Sequence, residues 1–309
     1  MLHVLVGTIL PIFSIILLGY FLDRKHVIGP AYTKTANQII FYVAIPAMLL
    51  KEISQAPFKE NFSTAAVVCT LSAMGLVVLL SVVCMKWMKV EGARQGTFLQ
   101  SSFHGNIGYM SYAIAYYALG ESHFARMAIL SSFVMLGQNL AAVWALATYG
   151  MNSRVDRGGL TVLKHVLSNP IIVTVAFGIG YSALGFSIPD PLQKALDILS
   201  GMAFPTALLL IGAGLSFGSF RSMTKEIVAI GFLKLACLPI LGYVLMKWAD
   251  LPDTLLLPGM ILLAAPPATI TYVMATELGG DPELAATSIS IHTLISAFTY
   301  SLVLSAFGS

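Results

Sequence analysis

Ala264-Ala265-Pro266-Pro267-Ala268-Thr269-Ile270-Thr271-Tyr272 sits near the middle of an apolar run at about 254–276. The run is long enough to cross a bilayer, for which about 20 apolar residues suffice. It cannot be helical throughout. Pro267 pushes Pro266 out of the helical region. Each proline also lacks an N–H and frees a carbonyl one turn earlier. A helix broken at mid-membrane presents the amide hydrogens and positive dipole end of its second half, which favour an anion.

A second such break stands in Phe103-His104-Gly105-Asn106-Ile107-Gly108-Tyr109, inside the apolar run 96–118. Two glycines around an asparagine make a poor helix interior, since each Gly costs about 1 kcal/mol against Ala. Paired interruptions at corresponding places of two halves are the sequence pointer to a transporter site. The expected site is an X-shaped crossing with two positive ends. Asn106 would add amide donors and an acceptor, and Thr269 and Thr271 hydroxyls. That chemistry suits a carboxylate.

The halves do correspond. Pro11 matches Pro170 and Pro46 matches Pro205, both at an offset of 159. Met85-Lys86-Trp87 recurs as Met246-Lys247-Trp248 at 161, and Gly120-Glu121 as Gly280-Asp281 at 160. Ten apolar runs are expected to span, at about 2–22, 32–50, 62–87, 96–118, 124–149, 166–185, 192–217, 227–248, 254–276 and 284–307. Long apolar runs without alternation are helices rather than barrel strands. The expected fold is therefore an all-α membrane protein of ten helices in a 5+5 inverted repeat, with the fourth and ninth broken. The first repeat covers 1–150, a cytoplasmic linker 151–165 and the inverted second repeat 166–309. An odd count of five forces the second copy in upside down. The first run lacks a positive n-region and a small-residue cleavage site, so it reads as a span rather than a signal peptide.

Composition agrees. The chain has 309 residues, 57% hydrophobic and only 10% charged, with a mean hydropathy of +0.85. A soluble domain carries about 25% charged residues. A net charge of +3 is too weak to suggest a nucleic-acid partner. Cys69, Cys84 and Cys237, odd in number and set in apolar runs, read as small hydrophobes rather than a disulfide framework or zinc site. Eleven Lys and Arg fall in loops after odd-numbered spans and five on the opposite side. The positive-inside rule then places both termini outside the bacterial inner membrane.

Ionisable residues inside spans are functional candidates. Lys234, in the eighth run, would either compensate a substrate carboxylate or pair with carbonyls freed by Pro239. His104 adjoins the first break, and an imidazole with an ordinary pKa of about 6.5 can carry a coupling proton. Asp197 reads as complementing a helix dipole, Glu277 as a solvated end charge, and Gln138-Asn139 as ties between helices. His292 has polar company in Ser290 and Thr293.

These motifs resemble the auxin efflux carrier family, which includes plant PIN-type carriers and bacterial malate and malonate permeases. The resemblance spans the chain. It rests on Leu10-Pro11 with Leu18-Gly19-Tyr20, on Asn37-Gln38-Ile39-Ile40-Phe41-Tyr42-Val43-Ala44-Ile45-Pro46-Ala47, on Gly105-Asn106-Ile107-Gly108-Tyr109, on Leu233-Lys234-Leu235 with Pro239, and on Pro266-Pro267-Ala268. Ser111 and Ala113 stand where the family often has Gly and Pro, and His104 where many relatives have a small residue. The resemblance implies a scaffold of the first, second, sixth and seventh helices that often dimerises. It also implies a mobile unit of the third to fifth and eighth to tenth, moving organic anions by an elevator motion. Asn106 and the Pro266-Pro267 crossing would hold the carboxylate, within a site of Gly105, Asn106, Ile107, Gly108, Pro266, Pro267, Ala268 and Thr269.

Other classes fit less well. The bile-acid type of sodium symporter shares the ten-helix plan, but sodium needs several oxygen ligands and the breaks offer few carboxylates. No Gly-x-Gly-Asp, Gly-x-Ser-Gly or His-Glu-x-x-His motif suggests an intramembrane enzyme, no Walker loop suggests ATP, and no rings of charge suggest a channel. No cofactor or metal is expected. The expected partners are the organic anion, the lipid bilayer and a second copy through the scaffold helices.

Overall fold

The computed structural model describes residues 5–56, 58–150, 169–217 and 220–307; the expected linker at 151–165 lies outside them. The described residues are all helical, joined by turns, and the one β-bridge is discussed below. In order the helices are α1 Val6–Arg24, α2 Pro30–Ser54, α3 Thr64–Trp87, α4 Arg94–Phe103, α5 Tyr112–Leu119, α6 Glu121–Tyr149, α7 Pro170–Ala183, α8 Asp190–Ala213, α9 Thr224–Trp248, α10 Asp253–Leu263, α11 Ile270–Leu278 and α12 Pro282–Phe307. Among the described residues, seven are long and apolar enough to cross a membrane: α1, α2, α3, α6, α8, α9 and α12. The fourth and ninth expected spans are each divided, into α4 and α5 and into α10 and α11. The sixth is described only from Asn169 onward.

Prolines shape the long helices. Wide turns with i→i+5 bonding occupy Leu5–Ile9, Ile40–Ala44 and Phe232–Cys237, each ending two residues before a proline: Pro11, Pro46 and Pro239. A proline cannot donate to the carbonyl four residues back and clashes with it. The wider turn moves that carbonyl aside without ending the helix.

Equivalent features recur at the offsets read from the sequence. After Trp87 the chain closes α3 with Lys89 N–H to Lys86 O and Val90 N–H to Met85 O, at 3.2 and 3.1 Å. After Trp248 it closes α9 with Asp250 N–H to Lys247 O and Leu251 N–H to Met246 O, at 3.1 and 3.0 Å. Lys89 and Asp250 both take positive φ, 54° and 51°, as this left-handed cap requires. Both tryptophans are exposed, as residues of an interfacial aromatic belt would be.

Two packing contacts show the same offset. Gly19 of α1 lies against the backbone of Leu209 in α8, and Gly212 of α8 against Ile16 of α1, so closely that a Cβ at either would strike a carbonyl oxygen. Gly178 of α7, 159 positions after Gly19, packs on Ile53 of α2, 159 positions before Gly212. Small residues let membrane helices approach this way.

Candidate functional site

The four half-helices α4, α5, α10 and α11 meet where their breaks touch. Residues 104–106 and 264–269 are not helical. Gly105 and Pro267 form an isolated antiparallel bridge. Asn106 N–H donates to Pro266 O at 2.8 Å, and Ala268 N–H returns to His104 O at 2.9 Å. The breaks thus pair with each other as two short strands would, and each meets part of the other's backbone demand.

In the first break the rest is met by side chains and local turns. Gln138 of α6 takes Gly105 N–H on its Oε1 at 3.0 Å and donates its Nε2 to Gly105 O at 3.2 Å. The expected interhelical tie is therefore a two-point clamp on the broken peptide. His104 N–H reaches Gln100 O, and Asn106 O accepts Met110 and Ser111 N–H. Gly105 is closely confined: a Cβ there would lie 3.1 Å from Ala265 Cβ and 3.2 Å from Lys234 Nζ. Gly108 is less confined, with Ile171 Cδ1 at 3.6 Å.

In the second break the demand is for donors. Every one of the last four carbonyls of α10 finds one. Met260 O takes Ala264 N–H, and Leu262 O takes Ala265 N–H at 3.4 Å. Ile261 O takes the Ser111 hydroxyl at 3.2 Å. Leu263 O, the carbonyl that Pro267 frees, takes Lys234 Nζ at 3.1 Å. Lys234 thus serves a proline-freed carbonyl of α10 rather than one freed by Pro239 in its own helix. Fully buried, it forms no ion pair with a described carboxylate. Sequence reading missed the role of Ser111, although its departure from the family pattern was a signal.

Several donors remain over. The amides of Gly108 and Tyr109 ahead of α5, and of Thr269 and Ile270 at the head of α11, meet no backbone carbonyl among the described residues. Asn106 is 5% exposed, and its Nδ2 has no partner. Thr271 Oγ1, at the second residue of α11, is also buried without one. A buried donor left unmade costs about 1–3 kcal/mol. The Asn106 Nδ2 and these helix-end amides are therefore donors without a partner among the described residues.

The other candidates fall around this point. Pro266, Pro267 and Ala268 are buried within the break and Ile107 is buried at the head of α5, whereas Thr269 is half-buried. His104 Nδ1 lies 3.2 Å from Gln100 Nε2. His292 lies between Ser288 Oγ and Ile227 O, both at 3.0 Å, rather than with Ser290 or Thr293. Asp197 pairs with Lys51 at 3.1 Å, and Glu277 is exposed near the end of α11. An open cleft of about 490 Å³ near Gln55, Ser182 and Gln193 is lined by neutral groups and does not reach the crossing.

The chain is similar to known membrane transport proteins. A family described as membrane transport protein matches residues 4–304. A protein of Rhizobium meliloti named "Putative malonate transporter" is 29% identical over 300 residues, covering 95% of this chain and 92% of that one. An uncharacterized transporter of Methanocaldococcus jannaschii is 25% identical over 307 residues, covering 95% and 96%. The uncharacterized transporter YfdV of Escherichia coli is 22% identical over 306 residues, covering 95% of each.

Proposed function

The chain belongs to the membrane transport protein family, that of the auxin efflux carriers, and from that premise we propose that it is a secondary transporter of small organic anions whose carboxylate is held where the two breaks meet. It is a multi-pass membrane protein of a transporter family, and a small-molecule substrate and a lipid surround follow from that. The finer reading is ours. It has ten spans in two inverted repeats, 1–150 and 166–309, joined by a linker at 151–165. A scaffold of α1, α2, α7 and α8 carries the dimer contact, and the remaining helices move as an elevator. Both termini face outward from a bacterial inner membrane. The matched caps of α3 and α9 and the matched glycine approaches in the scaffold support the repeat.

One observation supports the substrate class: Asn106, whose Nδ2 has no partner, stands in the break whose next residues, Gly108 and Tyr109, carry free amides, and the paired break carries two more at Thr269 and Ile270. An array of donors with no carboxylate suits an anion. The relative named for malonate, a dicarboxylate, points the same way. Gly105, Ile107 and Gly108 shape one wall and Pro266, Pro267, Ala268 and Thr269 the other. Lys234 and His104 are the charge-compensating and coupling candidates. Sodium coupling is the less favoured reading, because the charged side chain at the crossing is a cation.

The test is uptake of labelled malonate and a panel of mono- and dicarboxylates into proteoliposomes. Wild-type protein is expected to take up at least one anion, without sodium. Asn106→Ala is expected to abolish uptake and binding while leaving the melting temperature near wild type. Wild-type affinity in that variant removes the site, and failure across the panel with folded protein removes the function. In the same assay His104→Gln flattens the pH profile if that imidazole carries the coupling proton; an unchanged profile excludes it.

A further inference from the structure

We propose that Tyr109 and Asn37 form a latch that the substrate itself opens, a step that rests on the anion site just described. Around the first break the chain is buried from residue 101 to 107 and again from 110 to 115; only Gly108 and Tyr109 between them are half-buried. The same two residues carry the free amides ahead of α5. An anion reaching those amides therefore arrives beside Tyr109.

The Tyr109 hydroxyl is already engaged. It donates to Asn37 Oδ1 of α2 at 2.9 Å, across 72 positions of sequence. Helical side chains lean toward the N-terminus, so the Tyr109 phenol lies over the open end of its own half-helix. A carboxylate is a stronger acceptor than a neutral amide oxygen, since charge-assisted hydrogen bonds are roughly twice as strong. A carboxylate bound to the amides of Gly108 and Tyr109 competes for the hydroxyl's hydrogen and wins it. Asn37 then loses its bond to the crossing. Without substrate, α2 and the crossing are tied together; with substrate, the tie passes to the ligand. Binding thereby favours the state in which α2 and the crossing can slide apart, and the latch opposes binding by the same amount.

That reciprocity gives the test its sign. Asn37→Ala leaves the hydroxyl free for the ligand and removes the competitor, so malonate binding to the full chain in detergent should tighten about five-fold, the worth of one hydrogen bond. Tyr109→Phe removes the donor and should weaken binding by a similar factor. The double variant should match Tyr109→Phe alone, because Asn37 acts only through the hydroxyl. Asn37→Leu, which keeps the branched shape and heavy-atom count, stands in if the alanine variant melts early. A ligand-independent packing role moves both single variants in the same direction or leaves affinity unchanged, and either result overturns the latch. Binding that ignores Asn106→Ala overturns the anion site and the latch with it. Binding that needs Asn106 yet ignores Asn37 overturns the latch alone.

Discussion

The two breaks reach one geometry by opposite means. Around Gly105 nothing in the covalent chain forbids a helix, and the interruption is held by a side chain from elsewhere, the Gln138 amide clamped on the Gly105 peptide. Around Pro267 the interruption is covalent, and the fold's task is to supply donors, which Ser111 and Lys234 do. The first break is thus reversible in principle and the second is not. In the proposed site, one compliant and one fixed half would let the anion be accommodated on the compliant side, where Asn106 and Tyr109 lie.

The largest effect that probes this difference is expected at Gln138. Gln138→Leu leaves the buried Gly105 N–H without its acceptor, at roughly 1–3 kcal/mol, and takes one of two donors from Gly105 O, which keeps Ile107 N–H at 2.9 Å. The melting temperature in detergent should fall more than for any other single change at the crossing, and anion binding should fall with it. A loss no larger than that of Lys234→Met would mean the first break stands without its clamp.

Lys234→Met comes next, because it orphans one carbonyl and leaves no amide unpaired, a cost of about 1–3 kcal/mol. The second break allows a sharper check. Pro267→Ala restores an N–H four residues after Leu263, able to serve the same carbonyl. Combined with Lys234→Met it should recover part of the lost stability, giving clear non-additivity in a double-mutant cycle. Strict additivity would show that Lys234 does not stand in for the missing proline donor.

Sequence alone reached the second break more fully than the first. Pro266-Pro267 announces itself because proline acts on its own backbone, within four residues. Gly105-Asn106 was legible as weakness and Gln138 as a tie between helices, but not that the one holds the other: they lie 33 positions apart and the partner is a backbone peptide, which leaves no composition signal. Lys234 stood out as a charge in an apolar run, yet its acceptor lies 29 positions on, in another helix. The Asn37 contact with Tyr109 was invisible for the same reason, although both residues lie in quoted motifs. The offsets of 159 to 161 located the matched caps because helix ends are local, five-residue events. Ten apolar runs against seven long helices is no conflict of composition: breaks at 104–106 and 264–269 shorten two runs, and the sixth is described only in part.

The smallest effect separates two glycines that sequence reading grouped together. At Gly105 an added Cβ meets Ala265 Cβ at 3.1 Å and Lys234 Nζ at 3.2 Å, so Gly105→Ala forces the breaks apart by a few tenths of an ångström. Overpacking of that kind costs about 1–3 kcal/mol. At Gly108 the nearest atom is a methyl of Ile171 at 3.6 Å, which is ordinary contact, and the residue lies within the helical turn that opens toward α5. Gly108→Ala should change stability by less than about 1 kcal/mol, with a gain as plausible as a loss because Ala is the better helix former. Its effect should appear in anion binding instead, since the methyl would stand beside a free amide on the open rim. Equal destabilisation by the two substitutions would place Gly108 in the crossing itself; a Gly108→Ala variant that binds malonate as wild type does would move the ligand away from α5 and toward α11.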